Sequence, residues 1–309
     1  MFGQLKIFTI RNLKLYLRDQ GAVFFSMLSM LIVIGLMVLF LGDLQIENVT
    51  NLLRQFPGRD AAADQKNAER LIFLWTCAGI LSINAVTVTL SVLSSMIRDK
   101  GSGRLNAVYT ASVSRLVIAS GYVLAAWAAS VFLCLLTLAV TEGYGVLVLG
   151  LKWFSAAVHI RLAGMIAANS FAYAAFMYVA AVLIKSEGAW SGLGTVIGTL
   201  SGFLGGIYLP VGQLSAGVVG FMKCTPILYG AASFRKVMTE TLIDTMFSDT
   251  PKEVADTYRE MMGIDLFVFE KEVTTGMSLH GKRKLLCIPK FQIFCYIEFS
   301  QRQSLHIRV

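Results

Sequence analysis

Residues 71–97 read LIFLWTCAGILSINAVTVTLSVLSSMI, 27 residues without one Asp, Glu, Lys or Arg, bounded by Arg70 and Arg98. A bilayer core about 30 Å thick needs roughly 20 apolar residues as helix. This stretch therefore predicts a transmembrane helix. The same pattern recurs on both sides of it. Uncharged runs of 23, 26 and 23 residues lie between Asp19 and Asp43, Arg115 and Glu142, and Arg161 and Lys185. A fifth run of 35 lies between Glu187 and Lys223, interrupted by Pro210. One such run could be a buried core helix; five in one chain predict an all-α, polytopic membrane helix bundle. The spans are expected near 21–42, 71–97, 116–141, 162–184 and 188–209. The first run lies behind a basic segment and shows no A-x-A site at its end, so it reads as a retained helix and not a signal peptide.

Composition agrees. The chain of 309 residues is 56% hydrophobic and 15% charged, where soluble domains carry roughly 25% charged residues. The net charge of +8 gathers beside the span ends, where topology accounts for it without nucleic acid. In residues 1–20, Arg11, Lys14 and Arg18 share one side of a helix, and Leu5, Leu13, Tyr16 and Leu17 lie broadly opposite. That pattern predicts a helix along the membrane surface. The Lys and Arg bias places the N-terminus and the loop 98–115 in the cytoplasm, with 43–70 and 142–161 outside.

After residue 209 the pattern breaks. Pro210 and Gly212 interrupt the helix, and 213–222 is too short to cross, so 210–235 is expected to form a re-entrant piece. The expected boundary falls at 240: a transmembrane domain 1–240, then an external loop and an atypical tail, 241–309. In that tail Lys282, Arg283 and Lys284 precede Leu285–Phe299, which contains Pro289, Lys290 and Glu298. This stretch is expected not to span, leaving Cys287 and Cys295 outside.

The motifs of soluble enzymes are missing from the sequence. It has no G-x-x-x-x-G-K-[ST] phosphate loop, no H-E-x-x-H and no G-x-S-x-G. Ser201 in the segment 198–202 has no histidine in a neighbouring span to activate it. The five cysteines match no metal pattern. No catalytic residue, no metal site and no cofactor on this chain is expected.

Two periodic stripes remain. Asn84, Thr87, Ser91 and Ser95 recur along one face of the second span; they would line a pathway or hydrogen-bond a neighbouring helix. Gly194, Gly198, Gly202 and Gly206 repeat every four residues and would pack helices closely, within the chain or across a dimer. The loop 98–115 is longer than a turn needs, basic, and compatible with a helix.

At this loop the sequence resembles the permease subunits of type-two ABC exporters. The resemblance rests on Asp99, Lys100, Gly103, Arg104 and Leu105, then Val113, Ser114 and Arg115, with Ser112 where proline is usual. Gly205–Pro210 and Pro226 through Arg235 resemble that family's outer re-entrant region. The likeness covers roughly residues 1–240 and implies six spans, of which the sixth is missing or degenerate here. It implies ATP-driven export of a drug, peptide or lipid-like substrate by alternating access from the cell membrane. It also implies a second permease copy or homologue, and a separate ABC ATPase subunit carrying ATP and Mg. Asp99, Lys100, Gly103, Arg104 and Leu105 would form the coupling segment that docks the ATPase; Pro210, Pro226 and Arg235 would belong to the re-entrant region. The rival readings are a non-transport membrane protein (a scaffold, an immunity factor or a sensor), a passive channel, or a truncated, inactive permease.

Overall fold

Asp60 opens the longest helix. Its side chain accepts from the Ala62 N–H, and the helix α4 runs unbroken over Ala61–Gly101, 41 residues, about 60 Å at 1.5 Å per residue. Gly103, at φ 73°, turns the chain out of it. In this computed structural model, residues 2–36, 42–110, 113–268 and 271–272 are described. The expectations for Lys282–Lys284 and for Leu285–Phe299 lie outside the described residues.

The helices in chain order are α1 (Phe2–Arg18), α2 (Gln20–Leu36), α3 (Gly42–Leu53), α4, α5 (Arg104–Thr110), α6 (Arg115–Leu149), α7 (Ala156–Leu183), α8 (Glu187–Leu204), α9 (Ala216–Lys223), α10 (Pro226–Met246) and α11 (Lys252–Met261). A short 3-10 turn occupies Val211–Gln213. A two-residue ribbon, β1 (Phe267–Val268) with β2 (Lys271–Glu272), pairs antiparallel beyond them. Serine hydroxyls start three of the helices: Ser114, Ser155 and Ser186 each accept from the N–H three residues on, satisfying a donor that the helix leaves unpaired.

The architecture is an all-α membrane bundle. Among the described residues α4, α6 and α7 are long and apolar enough to cross a membrane. α4 lies at the centre, packed against α6, α7, α8 and α10, with 89% of its most apolar window buried. Small residues bring the helices close. Ala125, Ala126, Ala129, Ala174 and Ala181 are fully buried, and a methyl group on Gly121 would meet Phe8 of α1 at 2.6 Å. Buried hydroxyls tie the same contacts: Ser130 Oγ donates to Ser170 Oγ at 2.9 Å, and Ser82 Oγ to the Ile227 carbonyl at 3.1 Å.

Two boundaries differ from the sequence reading. α8 stops at Leu204 and does not reach 209. Gly206 adopts φ 61°, and the N–H groups of Gly206 and Ile207 return to the carbonyls of Phe203 and Gly202, a glycine stop that closes the last turn. The region after 240 is also more than a loop. α10 continues through it to Met246, and α11 follows. The reason is burial: Ile243, Met246, Phe247, Tyr258 and Met262 share a core with Val49, Leu53, Leu71 and Trp75. α3, the first turns of α4, the end of α10 and α11 thus form a cap over one end of the bundle.

Candidate functional site

The basic loop after α4 is built from inside out. Asp99 is 4% exposed. Its two oxygens take the Arg11 guanidinium at 2.9 and 3.1 Å, and the Tyr122 hydroxyl donates to it at 2.6 Å. Burial opposes the Asp99 charge, but the hydrogen bonds from Arg11 and Tyr122 outweigh it and hold the carboxyl below its ordinary pKa. α1, α4 and α6 are joined at this one carboxylate. Lys100 turns the other way. Its Nζ donates to the carbonyls of Ala181, Val182 and Ile184 at 2.6, 3.0 and 3.2 Å, closing the C-terminus of α7; burial, then the charge of Lys185, lowers its pKa.

The side chains of Asp99 and Lys100 are both occupied within the chain. Past Gly103, α5 is a seven-residue helix anchored by Leu105, 5% exposed in the main core. Arg104, Asn106, Ala107 and Thr110 are exposed on it. Arg104 is the one charged residue of the expected docking set that faces outward.

The polar stripe divides as well. Asn84 is buried and its amide donates to Thr137 Oγ1 of α6 at 2.9 Å. Ser95 is buried and bonds the Val92 carbonyl of its own helix. These two face the interior of the bundle. Thr87 and Ser91 are half-buried.

The glycine stripe also splits. Gly194 and Gly198 have open space where a side chain would go. Gly202 is covered by the Tyr208 ring, which an added methyl carbon would strike. Gly206 lies beyond the helix in the glycine stop and is not part of a helical face.

From that stop the chain passes Pro210 and the 3-10 turn, descends through α9, reverses at Cys224–Thr225 and returns as α10, with Pro226 in its first turn. α10 begins beside Ser82, near the middle of the uncharged run 71–97. Higher up, Arg235 is fully buried. Its guanidinium stacks 4.2 Å from the Trp75 ring centre and donates to the carbonyls of Gly205 and Gly206 at 2.9 and 3.0 Å. Trp75 Nε1 donates in turn to the Met262 carbonyl. Lys223 ends α9 half-buried, beside the exposed Cys224. The sequence pointed to Arg11 and Arg235 but to neither Tyr122, whose partner is 23 residues away on another helix, nor Trp75, whose partner is 187 residues away. Among the described residues no group of three His, Cys, Asp or Glu could hold a metal ion.

The helices and their lengths define a multi-pass membrane protein. Within that class, the family model described as ABC-2 type transporter matches residues 3–239, and the chain belongs to the ABC-2 type transporter family. It is accordingly a permease of an ABC transporter, the membrane component and not itself the ATPase. No curated protein and no solved structure matches the chain.

Proposed function

We propose that this permease is the membrane-spanning subunit of an ATP-driven exporter. It works by alternating access in the cell membrane, its N-terminus in the cytoplasm, and moves a drug-, peptide- or lipid-like molecule outward. It pairs with a second copy or a homologue, and with two ATPase subunits that carry ATP and Mg. The observation that carries this reading is α5: a short helix at the basic end of α4, anchored by Leu105, with Arg104 exposed and its base locked to α1 and α6 through Asp99. A push on α5 is thereby shared with three helices at once. The α9–α10 hairpin supports a re-entrant piece in 210–235, since non-helical backbone at membrane depth needs protein around it and Arg235 supplies hydrogen bonds to that backbone. Thr87 and Ser91 are the members of the polar stripe left to face a path.

The test separates docking from folding. Arg104→Glu is expected to yield normal amounts of folded permease with most of the co-purifying ATPase lost. Asp99→Lys is expected to lower the yield of permease itself, since it sets a second cation against Arg11 at a buried position. Inside-out vesicles holding permease and ATPase should accumulate substrate only with ATP. Full co-purification by Arg104→Glu together with no ATP-driven uptake would overturn the reading.

A further inference from the structure

Lys223 is the last residue of α9. Its carbonyl accepts from the Tyr229 hydroxyl at 2.7 Å, which keeps it beside the first turns of α10. The depth of those turns is set by α4. Ser82 Oγ donates to the Ile227 carbonyl, and a methyl group on Gly230 would sit 2.7 Å from both Ser82 Oγ and Asn169 Oδ1. Measured along α4, Ser82 is about 18 Å from Arg70 and about 24 Å from Arg98 at 1.5 Å per residue. A bilayer core about 30 Å thick, centred between those arginines, has this level near its middle. Among the described residues no carboxylate pairs with the Lys223 ammonium group. Cys224, the next residue along the chain, is exposed.

A cation at this depth is not left against hydrocarbon, and its four-carbon stem is too short to reach either interface from there. It needs an anion or water. Its own chain offers it no carboxylate among the described residues. We propose that Lys223 faces the translocation path and holds the anionic group of the passenger, so that the transported molecule is an amphiphile bearing a phosphate or a carboxylate. This rests on the exporter reading. An ammonium group offers three donors and no acceptor, which suits an anion of either shape. Val219, four residues back and so on the same face of α9, favours an amphiphile over a free ion. Val219 packs on the same cluster as Met222 and as Leu204 at the end of α8.

The experiment measures binding to the full permease in nanodiscs, alone and with its ATPase, in a background with Cys287→Ser and Cys295→Ser. The probes are fluorescent phosphatidylglycerol and equally labelled phosphatidylcholine. The unmutated residue should give about a tenfold preference for the anionic probe. Lys223→Gln should remove that preference, and Lys223→Arg should keep it. An independent arm leaves Lys223 intact. An anionic methanethiosulfonate placed on Cys224 tethers a sulfonate beside the ammonium group and should abolish the preference, while the small uncharged methyl reagent should preserve it. No preference before mutation, a preference unchanged by both Lys223→Gln and the tethered sulfonate, or displacement by inorganic phosphate as effective as by phosphatidylglycerol would each overturn the proposal. Loss of the ATPase from the complex with the preference intact counts against the exporter reading instead, and leaves Lys223 standing.

Discussion

At the scale of single residues, Glu142 shows how this chain uses its charges. It is 7% exposed, accepts from the Phe154 N–H at 2.8 Å and pairs with His159 Nε2 at 2.8 Å. One carboxylate thus fixes the turn between α6 and the start of α7. Cations do related work at other helix ends. Arg70 donates to the Leu149 and Gly150 carbonyls, Lys100 closes α7, and Arg235 closes the stop after α8. The last carbonyls of a helix lack partners and carry partial negative charge, so each cation satisfies both needs. His159 lies ahead of the uncharged run 162–184, and the hydrogen bond to Glu142 is the main cause raising its pKa. A raised histidine pKa means that the pair stabilises fully below the ordinary value of about 6.5, and that its contribution is lost as pH rises through the higher, folded-state value. The expected outcome is a His159 ring titration, followed by NMR, with a midpoint above the ordinary value. Glu142→Gln should bring it back, and an unchanged midpoint would show that the pair does not set it.

At the scale of elements, the uncharged runs were legible because a helix in lipid must hide every backbone polar group along its length. Periodicity alone did not say where a helix stops. α4 passes its charged ends by ten residues before Leu71 and four after Ile97, because Asp64 is neutralised by Arg59 at 2.7 Å and Asp99 by Arg11. Arg11 and Asp99 are 88 residues apart, and no local pattern announces that pair. The glycines of α8 were legible as a repeat, yet their neighbours were not. A side chain at Gly198 enters open space in the single chain, whereas one at Gly202 meets the Tyr208 ring. Gly202→Leu should therefore destabilise the isolated permease by about 1–3 kcal/mol, the usual cost of overpacking. Gly198→Leu should leave the isolated permease unchanged, and reduce assembly if a second copy packs there. Thermal unfolding of detergent-solubilised protein reads the first effect and cross-linking the second. Equal melting of the two variants would sink the distinction.

At the scale of the whole molecule, the basic residues and the cap set a direction. The N-terminal segment and the loop after α4 are rich in Lys and Arg, while the cap joins segments with mixed charge. With Cys224, Cys287 and Cys295 each replaced by Ser, Asp256→Cys on α11 is expected to react with a membrane-impermeant maleimide in intact cells. Asn106→Cys on α5 should be protected until the membrane is opened. The reverse labelling would invert the topology. The cap also has a bearing on biosynthesis. Arg59 donates to the Met246 carbonyl and Trp75 to that of Met262, each across 187 residues of chain. At about 5–20 residues per second, the ribosome needs on the order of ten to forty seconds to supply the second half of each contact. During that interval α3 and the start of α4 stand without the surfaces that later bury Leu53 and Trp75. The newborn permease thus has its cap apolar surface bare for longest at its first-made end, and a protease or chaperone stationed on that side of the membrane meets it there before α10 and α11 arrive to close it.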